Sequence, residues 1–303
     1  MSQAGTTMLH ITSGDIAGDR LARAGLPGEV RVWHDILYDG PRNPGWPDDD
    51  TLEARAAFLE EATGGGLTRE RVRGVLQEQY RRLSDAASGA GMVLWFDACL
   101  FDQAMLAHVL TCLRIRGARD VELICVDAFP GIDPYHGLGQ LRPDQLASRY
   151  GDRRPVTGSQ YEFAVRVDRA LAVQDAGELE ALSRLSCAPL PWIPAAIGRW
   201  LQERPDAVTG LGRLESLALA AIRGGCESPV KILASVAAAE PPPQFWGESM
   251  LWAKINGLAD RDPPLVKIGG PGDRLPQWES DVPLEAFCIH AQPAPRGGQG
   301  GTM

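Results

Sequence analysis

The sequence predicts a Rossmann-like three-layer α/β domain with a mainly parallel sheet, followed by an all-helical, winged-helix-like region. In the first 135 residues, short apolar runs that end in polar turns alternate with segments of helical periodicity. From residue 136 to residue 290 the helical pattern dominates. We therefore expect two domains, at 1–135 and 136–290, and a disordered tail at 291–303 that is rich in Gly, Pro and Gln.

Four apolar runs are the predicted strands of the first domain. They cover residues 9–12, 29–33, 92–96 and 121–126. Helical periodicity fills the spaces between them, at 16–26, 51–62, 68–87 and 101–116. A strand, a helix and a further strand form a βαβ unit, whose two strands are parallel.

The second half carries helical patterns at 143–150, 159–173, 176–186 and 194–203. Three more follow at 214–224, 229–239 and 248–258, and an apolar stretch at 265–268 comes after them. Three helices and a small strand at this spacing are typical of a winged-helix module. Such modules often bind DNA, but basic residues are sparse on the last two of these helices, which favours packing or a protein contact instead.

Composition limits the classes of function. Lys and Arg number 30 against 39 Asp and Glu, so the net charge is −9, which disfavours nucleic acid and anionic membrane surfaces as partners. The chain opens with no signal-peptide pattern, and no apolar run reaches the roughly 20 residues of a membrane span. The six cysteines form no Cys-x-x-Cys pair, which favours reduced core thiols. We expect a cytoplasmic protein.

Acidic residues follow the predicted strands. They are Asp15, Asp35, Asp97 and Asp127. Because the carboxyl ends of parallel strands meet at one edge of a sheet, these side chains are expected to converge there and to repel one another unless a cation is bound. The sequence thus predicts a Mg²⁺ or Mn²⁺ site formed by Asp15, Asp35 and Asp97. The alternative for each acid alone is that it caps the following helix, as Asp commonly does.

Two residues are candidate catalytic groups. His34 follows the second strand and is the predicted general base, because an imidazole side chain can exchange a proton near neutral pH; Asp97 is the second predicted catalytic residue. Polar or glycine residues near the same edge are predicted to bind substrate, and they are Ser13, Gly14, Asp102, Gln103 and His136. The alternatives without a functional role are that the Gln103 side chain is solvated and that the loop containing His136 does not reach the site.

Several motifs, in order, resemble a bacterial family catalogued as domain of unknown function 1835. They are Leu-His-Ile-Thr-Ser-Gly-Asp at 9–15, Val-Trp-His-Asp-Ile-Leu-Tyr-Asp-Gly-Pro at 32–41, Val-Leu-Trp-Phe-Asp at 93–97, Phe-Asp-Gln at 101–103 and Gly-Leu-Gly-Gln-Leu at 137–141. The likeness extends to about residue 268. Where the family typically has Glu-His-Asp, this chain has Asp97, Ala98 and Cys99, so one acid is kept in kind while the histidine and the second acid are absent.

Two hypotheses about function follow. The first is a metal-assisted hydrolase or transferase that acts on a phosphorylated or otherwise polar small metabolite at the carboxyl edge of the sheet. The second is a regulator or adaptor, in which the winged-helix-like region binds DNA or a protein partner. A basic surface on that region would distinguish the second hypothesis from the first.

Overall fold

The structure is a computed structural model that describes residues 8–293. Its larger sheet has five strands in the order β2-β1-β3-β4-β5. Strands β1 to β4 are parallel, and β5 runs antiparallel to β4. The strands are β1 Leu9–Ser13, β2 Glu29–Trp33, β3 Met92–Asp97, β4 Val121–Val126 and β5 Arg154–Pro155. The predicted α/β class with a mainly parallel sheet is confirmed.

Helices connect the parallel strands. They are α1 Asp15–Ala22, α2 Asp49–Ala62, α3 Arg69–Ala87 and α4 Leu100–Ile115. Strand β3 is buried along its whole length, and α4 is buried from Leu100 to Leu113 except at Phe101. This burial explains the continuous apolar run of β3, which is typical of a parallel strand covered on both faces.

Contacts divide the chain into two compact units. The first contains the described residues up to Glu61, then Leu67–Leu201 and Pro242–Phe245. It therefore extends past the boundary predicted at residue 135 and includes α5 Pro143–Arg149, α6 Gly158–Ala172 and α7 Ala176–Ser183. The first unit extends this far because α6 is bonded to the segment after β2. The buried Asp168 of α6 accepts a hydrogen bond of 2.7 Å from Arg42 and another of 2.7 Å from the Gly45 N–H.

The second unit contains Ala62–Gly66, Gln202–Pro241 and the described residues from Trp246 onward. The helix α8 Ile193–Gln202 leads into it, and its own elements are α9 Arg213–Arg223, α10 Pro229–Ala239, α11 Glu248–Ala259, β6 Val266–Gly269 and β7 Cys288–Ala291. The small strand predicted at 265–268 corresponds to β6, but the description of the region as all-helical is wrong, because β7 pairs with β6 in an antiparallel sheet that the sequence did not predict. Ala291, at the start of the predicted tail, belongs to β7, and residues 294–303 of that tail lie outside the described residues.

No helix within residues 8–293 combines the length and the apolar character needed to cross a lipid bilayer. The order of the larger sheet places β1 between β2 and β3. From β1 the chain crosses to β2 on one side, and from β3 it crosses to β4 on the other. In open α/β sheets, the carboxyl ends of two strands at such a reversal form the crevice where ligands commonly bind.

Candidate metal centre at the ends of β1 and β3

Three buried side chains come together where β3 leads into α4. Asp97 is the last residue of β3, Cys99 is the N-cap of α4, and Asp102 lies in the first turn of that helix. One potential ligand atom from each lies within 4.8 Å of the other two. This cluster, hereafter the Asp-Cys-Asp cluster, could hold a metal ion. It lies at the crevice that the strand order predicts.

Each carboxylate of the cluster is oriented by hydrogen bonds. Asp97 accepts from the N–H of Cys99 at 2.8 Å and from that of Leu138 at 3.4 Å. Asp102 accepts from the N–H of Asp97 at 2.7 Å and from the hydroxyl of Ser13. A carboxylate oxygen has two lone pairs, so each oxygen that accepts one such bond can still coordinate a cation.

The two carboxyl groups of the cluster are buried and accept hydrogen bonds, but no basic side chain in the described chain balances their charge. Burial raises the pKa of Asp97, and burial together with the nearby Asp97 charge raises the pKa of Asp102 well above its usual range. Within residues 8–293, no Lys, Arg or His side chain forms a hydrogen bond or an ion pair with either carboxyl group. Burial and the two carboxylates also raise the pKa of Cys99, so its thiol is protonated unless a cation replaces the proton.

Gln103 and Tyr135 lie near the cluster and carry hydrogen-bonding groups that are not used in the described chain. The Nε2 of Gln103 donates to the Asp97 carbonyl at 2.6 Å, but its Oε1 is buried without a partner among the described residues. The Tyr135 hydroxyl and the His136 Nδ1 are likewise buried and unpaired in that part of the chain. The pKa of Tyr135 is raised by burial and then by the charges of Asp97 and Asp102.

Ser13 and Gly14 lie where β1 turns into α1. Ser13 is buried and donates its hydroxyl to Asp102, so it joins the cluster. Gly14 has a φ of 71°, a left-handed conformation that favours glycine, and it is the N-cap of α1. The alternative in which Asp15 caps α1 is wrong, because Asp15 is already the first helical residue.

His34 and Asp15 form a separate, exposed pair. The His34 Nε2 lies 2.8 Å from the Asp15 Oδ1, and the His34 backbone N–H donates to Gln79 at 3.1 Å. In the described part of the chain, no hydrogen bond or ion pair joins either residue to the Asp-Cys-Asp cluster. Among the described residues, the group of potential ligands that includes Asp97 is completed by Cys99 and Asp102 and does not contain Asp15. His34, the predicted general base, is paired with Asp15.

Asp35 is the second predicted ligand that the structure places elsewhere. Its side chain is buried against Arg55, which donates to it from both Nε, at 3.2 Å, and Nη2. A carboxylate already neutralised by a guanidinium is a poor cation ligand. The prediction failed because the segment after β2 turns the Asp35 side chain into the core against Arg55, whereas the preceding His34 is exposed.

The fourth strand-end acid also lies apart. Asp127 is exposed and accepts a hydrogen bond of 3.0 Å from the Trp192 indole.

Two residues of the site were not predicted. Cys99 and Tyr135 are absent from the predicted site, although they lie close to Asp97. The sequence did contain a signal for Cys99. It lies two residues after Asp97 and three residues before Asp102, and the spacing of three places Cys99 and Asp102 on one helical turn. No comparable signal identifies Tyr135.

No protein-family model matches the chain, and a search of the curated proteins finds no match either. The chemistry of the site therefore follows from its donor set. Two carboxylates and one thiol suit a divalent cation, and the buried surroundings strengthen the interaction of that cation with any polar group brought beside it.

Proposed function

We propose that the protein is a metal-dependent enzyme that acts on a small polar or phosphorylated metabolite at the carboxyl ends of β1 and β3. The observation that carries the proposal is the burial of Asp97 and Asp102 with no basic partner in the described residues. Two such carboxyl groups are costly as anions, and a divalent cation would relieve that cost.

The identity of the cation follows from the ligands. The two carboxylates alone suit Mg²⁺ or Mn²⁺, whereas the participation of the Cys99 thiolate favours Zn²⁺. We propose Mn²⁺ or Zn²⁺ ahead of Mg²⁺, because Mg²⁺ is rarely bound by sulfur. Bound there, the ion would supply a Lewis acid that polarises a phosphoryl or carbonyl oxygen.

The chain's own residues would position the substrate. Gln103, Tyr135 and His136 offer buried polar atoms that lack partners in the described chain. Substrate hydroxyl or phosphoryl groups would satisfy them, since an unpaired buried polar group costs about 1–3 kcal/mol. Ser13 would hold the Asp102 carboxyl group in place through its hydroxyl.

The resemblance to domain of unknown function 1835 and the Rossmann-like description of the first unit remain part of this proposal. The reversal of strand order between β1 and β3 supports a Rossmann-like sheet. In place of the second acid of the family triplet, we propose that Asp102 supplies the carboxylate one turn into α4.

Calorimetric titration of metal-free protein with Mn²⁺, Zn²⁺ and Mg²⁺ tests the proposal. Asp97→Asn and Asp102→Asn are expected to abolish binding, and Cys99→Ser to weaken Zn²⁺ more than Mn²⁺. Asp15→Asn is the matched control, because it removes an exposed carboxylate that lies outside the cluster.

Hydrolysis of p-nitrophenyl phosphate with and without the bound ion then tests for phosphatase activity. Absence of binding by the parent protein, or equal binding by all variants, would refute the metal site.

One observation favours a second function, that of a regulator or adaptor. Helices α9, α10 and α11 with the antiparallel pair β6–β7 support a winged-helix-like second unit. Its arginines are largely engaged with acids, in the pairs Arg213–Glu240, Arg261–Glu215 and Arg274–Asp260. A mobility-shift assay at several salt concentrations separates the two functions, because phosphate contacts weaken steeply as salt rises. We expect no such binding, and a protein partner would then be the remaining form of this alternative.

A further inference from the structure

A groove of about 400 Å³ lies between β1, β2 and α3, away from the Asp-Cys-Asp cluster. Its apolar lining includes Leu9 and Ile11 from β1, Trp33 from β2, and Val75 and Leu83 from α3. All but Val75 are buried, and Val75 is 40% exposed. The volume falls within the range of roughly 300–1,000 Å³ that is typical of small-molecule sites.

Two hydrogen-bond donors on the lining residues are buried without acceptors. The Trp33 Nε1 and the Gln79 Nε2 have no partner in the part of the chain that the structure describes. The Gln79 Oε1 is already used, since it accepts from the His34 N–H at 3.1 Å. Buried donors are almost always paired in folded proteins, so these two N–H groups are available to an acceptor that a bound molecule supplies.

The charge of the groove is opposite to that of the protein. Three arginines and one glutamate line it, Arg31, Arg71, Arg82 and Glu78, whereas the whole chain carries a net charge of −9. Arg31 is paired with Glu29, and Arg82 with Glu78. Within residues 8–293 the ion pairs of α3 involve Arg69, Arg73, Arg81 and Arg82, and Arg71 forms none. A guanidinium without a partner beside an apolar surface favours an anion with an apolar body.

We infer that this groove binds a small amphipathic carboxylate. The two carboxylate oxygens would accept from the buried indole and amide N–H groups and lie near Arg71, while the apolar body covers Ile11, Val75 and Leu83. A phosphate dianion fits less well, because the described residues offer one unpaired cation and two neutral donors to this groove. The ligand class follows from the groove alone and does not depend on the proposed metal chemistry.

Titration of the full chain with decanoate tests the inference. Two compounds with the same chain length but a different head group, decan-1-ol and decylamine, are the ligand controls. Binding is followed by calorimetry and by the indole N–H resonances of ¹⁵N-labelled protein, with the Trp33 resonance assigned from a Trp33→Phe variant. We expect decanoate to bind in preference to both controls and to shift the Trp33 resonance.

Two pairs of variants locate the site. Arg71→Ala is expected to weaken decanoate binding about fivefold, whereas Arg73→Ala, on the same helix but outside the groove, leaves it unchanged. Val75→Glu places a negative charge in the groove and is expected to abolish binding. Val165→Glu is its control, because Val165 is a comparably exposed valine on α6. Thermal unfolding establishes that each variant is folded.

Several outcomes would overturn the inference. They are no decanoate binding by the parent protein, equal affinity for decan-1-ol, full binding by folded Val75→Glu, and an unmoved Trp33 resonance at saturation. Decanoate binding that is weakened in Arg71→Ala and lost in Val75→Glu but retained in Asp97→Asn would support this groove independently of the metal centre.

Discussion

The guanidinium of Arg55 lies against the carboxylate of Asp35 with both side chains almost completely buried, at 2% and 1% exposure. Arg55 also donates to the carbonyl oxygens of Ile36 and Asp39, at 2.7 and 2.6 Å. This arrangement ties the segment after β2 to α2. It also removes Asp35 from the set of carboxylates available to a cation.

Arg55→Met is expected to lower the free energy of unfolding by about 3–5 kcal/mol, because it leaves the Asp35 charge buried and unpaired. Urea unfolding of the parent and the variant measures the change. In the double variant Asp35→Asn/Arg55→Met the charge is gone, so much of the loss should be recovered. Equal destabilisation in the single and double variants would show that packing, and not the ion pair, dominates.

A second buried network should make stability depend on pH. Burial alone lowers the pKa of His108, but the nearby Cys112 and the Asp168 carboxylate, 3.0 Å from Nδ1, outweigh it and raise that pKa to about 10. Since the folded pKa lies above the unfolded value of about 6.5, the stabilisation is complete below about pH 6.5 and is lost as the pH rises through about 10.

His108→Gln removes this titration. We expect the difference in unfolding free energy between the parent and His108→Gln to be about 3 kcal/mol near pH 6 and to shrink toward pH 10. Urea unfolding at several pH values measures it, and ionisations common to both proteins cancel in the difference. A difference that does not vary with pH would contradict the assignment of a charged imidazole.

The Asp-Cys-Asp cluster should lower the free energy of unfolding when no cation is bound. The folded pKa of Asp102 is raised, so its contribution to stability is present below the unfolded pKa of about 4 and is lost as the pH rises. In metal-free protein near neutral pH, Asp102→Asn is expected to raise the free energy of unfolding by about 0.5–2 kcal/mol. Thermal and urea unfolding in the presence of a chelator test this prediction.

Asp144→Asn is the control for this change, because Asp144 is exposed and paired with Arg142, so its stability effect should be small. The gain in Asp102→Asn should vanish near pH 3, where the carboxyl group is protonated in both states. A less stable Asp102→Asn at neutral pH would show that the carboxylate is compensated by partners that the proposal omits.

Gly137 should be required for the shape of the centre. It has a φ of 142°, and a Cβ at this position would overlap the Asp97 Oδ2. Gly137→Ala is therefore expected to weaken metal binding about tenfold or more, as measured by calorimetry. Gly131→Ala is matched to it, since Gly131 has a φ of 81° but open space around the new Cβ. Equal loss of binding in both variants would attribute the effect to backbone strain alone.

The candidate site could be predicted only in part. Asp97 was identified because an acid that ends a buried apolar run must lie at the carboxyl edge of a parallel sheet. Ser13 was placed correctly at the same edge. The partner of Ser13, however, is Asp102, which lies 89 positions away in sequence, and local patterns carry no information about such a pair.

The sequence by itself determined strands β1 to β4, the helices between them and the parallel class of the sheet, because hydrophobic periodicity and turn residues act over a few positions. It also determined that Asp97 ends a buried strand. It did not determine β5 or β7. Only the tertiary structure decided which acids share an environment. Asp35 is paired with a buried arginine, and Asp15 is paired with an exposed histidine. Asp102 lies beside Asp97, and no basic side chain among the described residues is paired with either carboxylate. That difference depends on side-chain direction and burial, which long-range packing fixes.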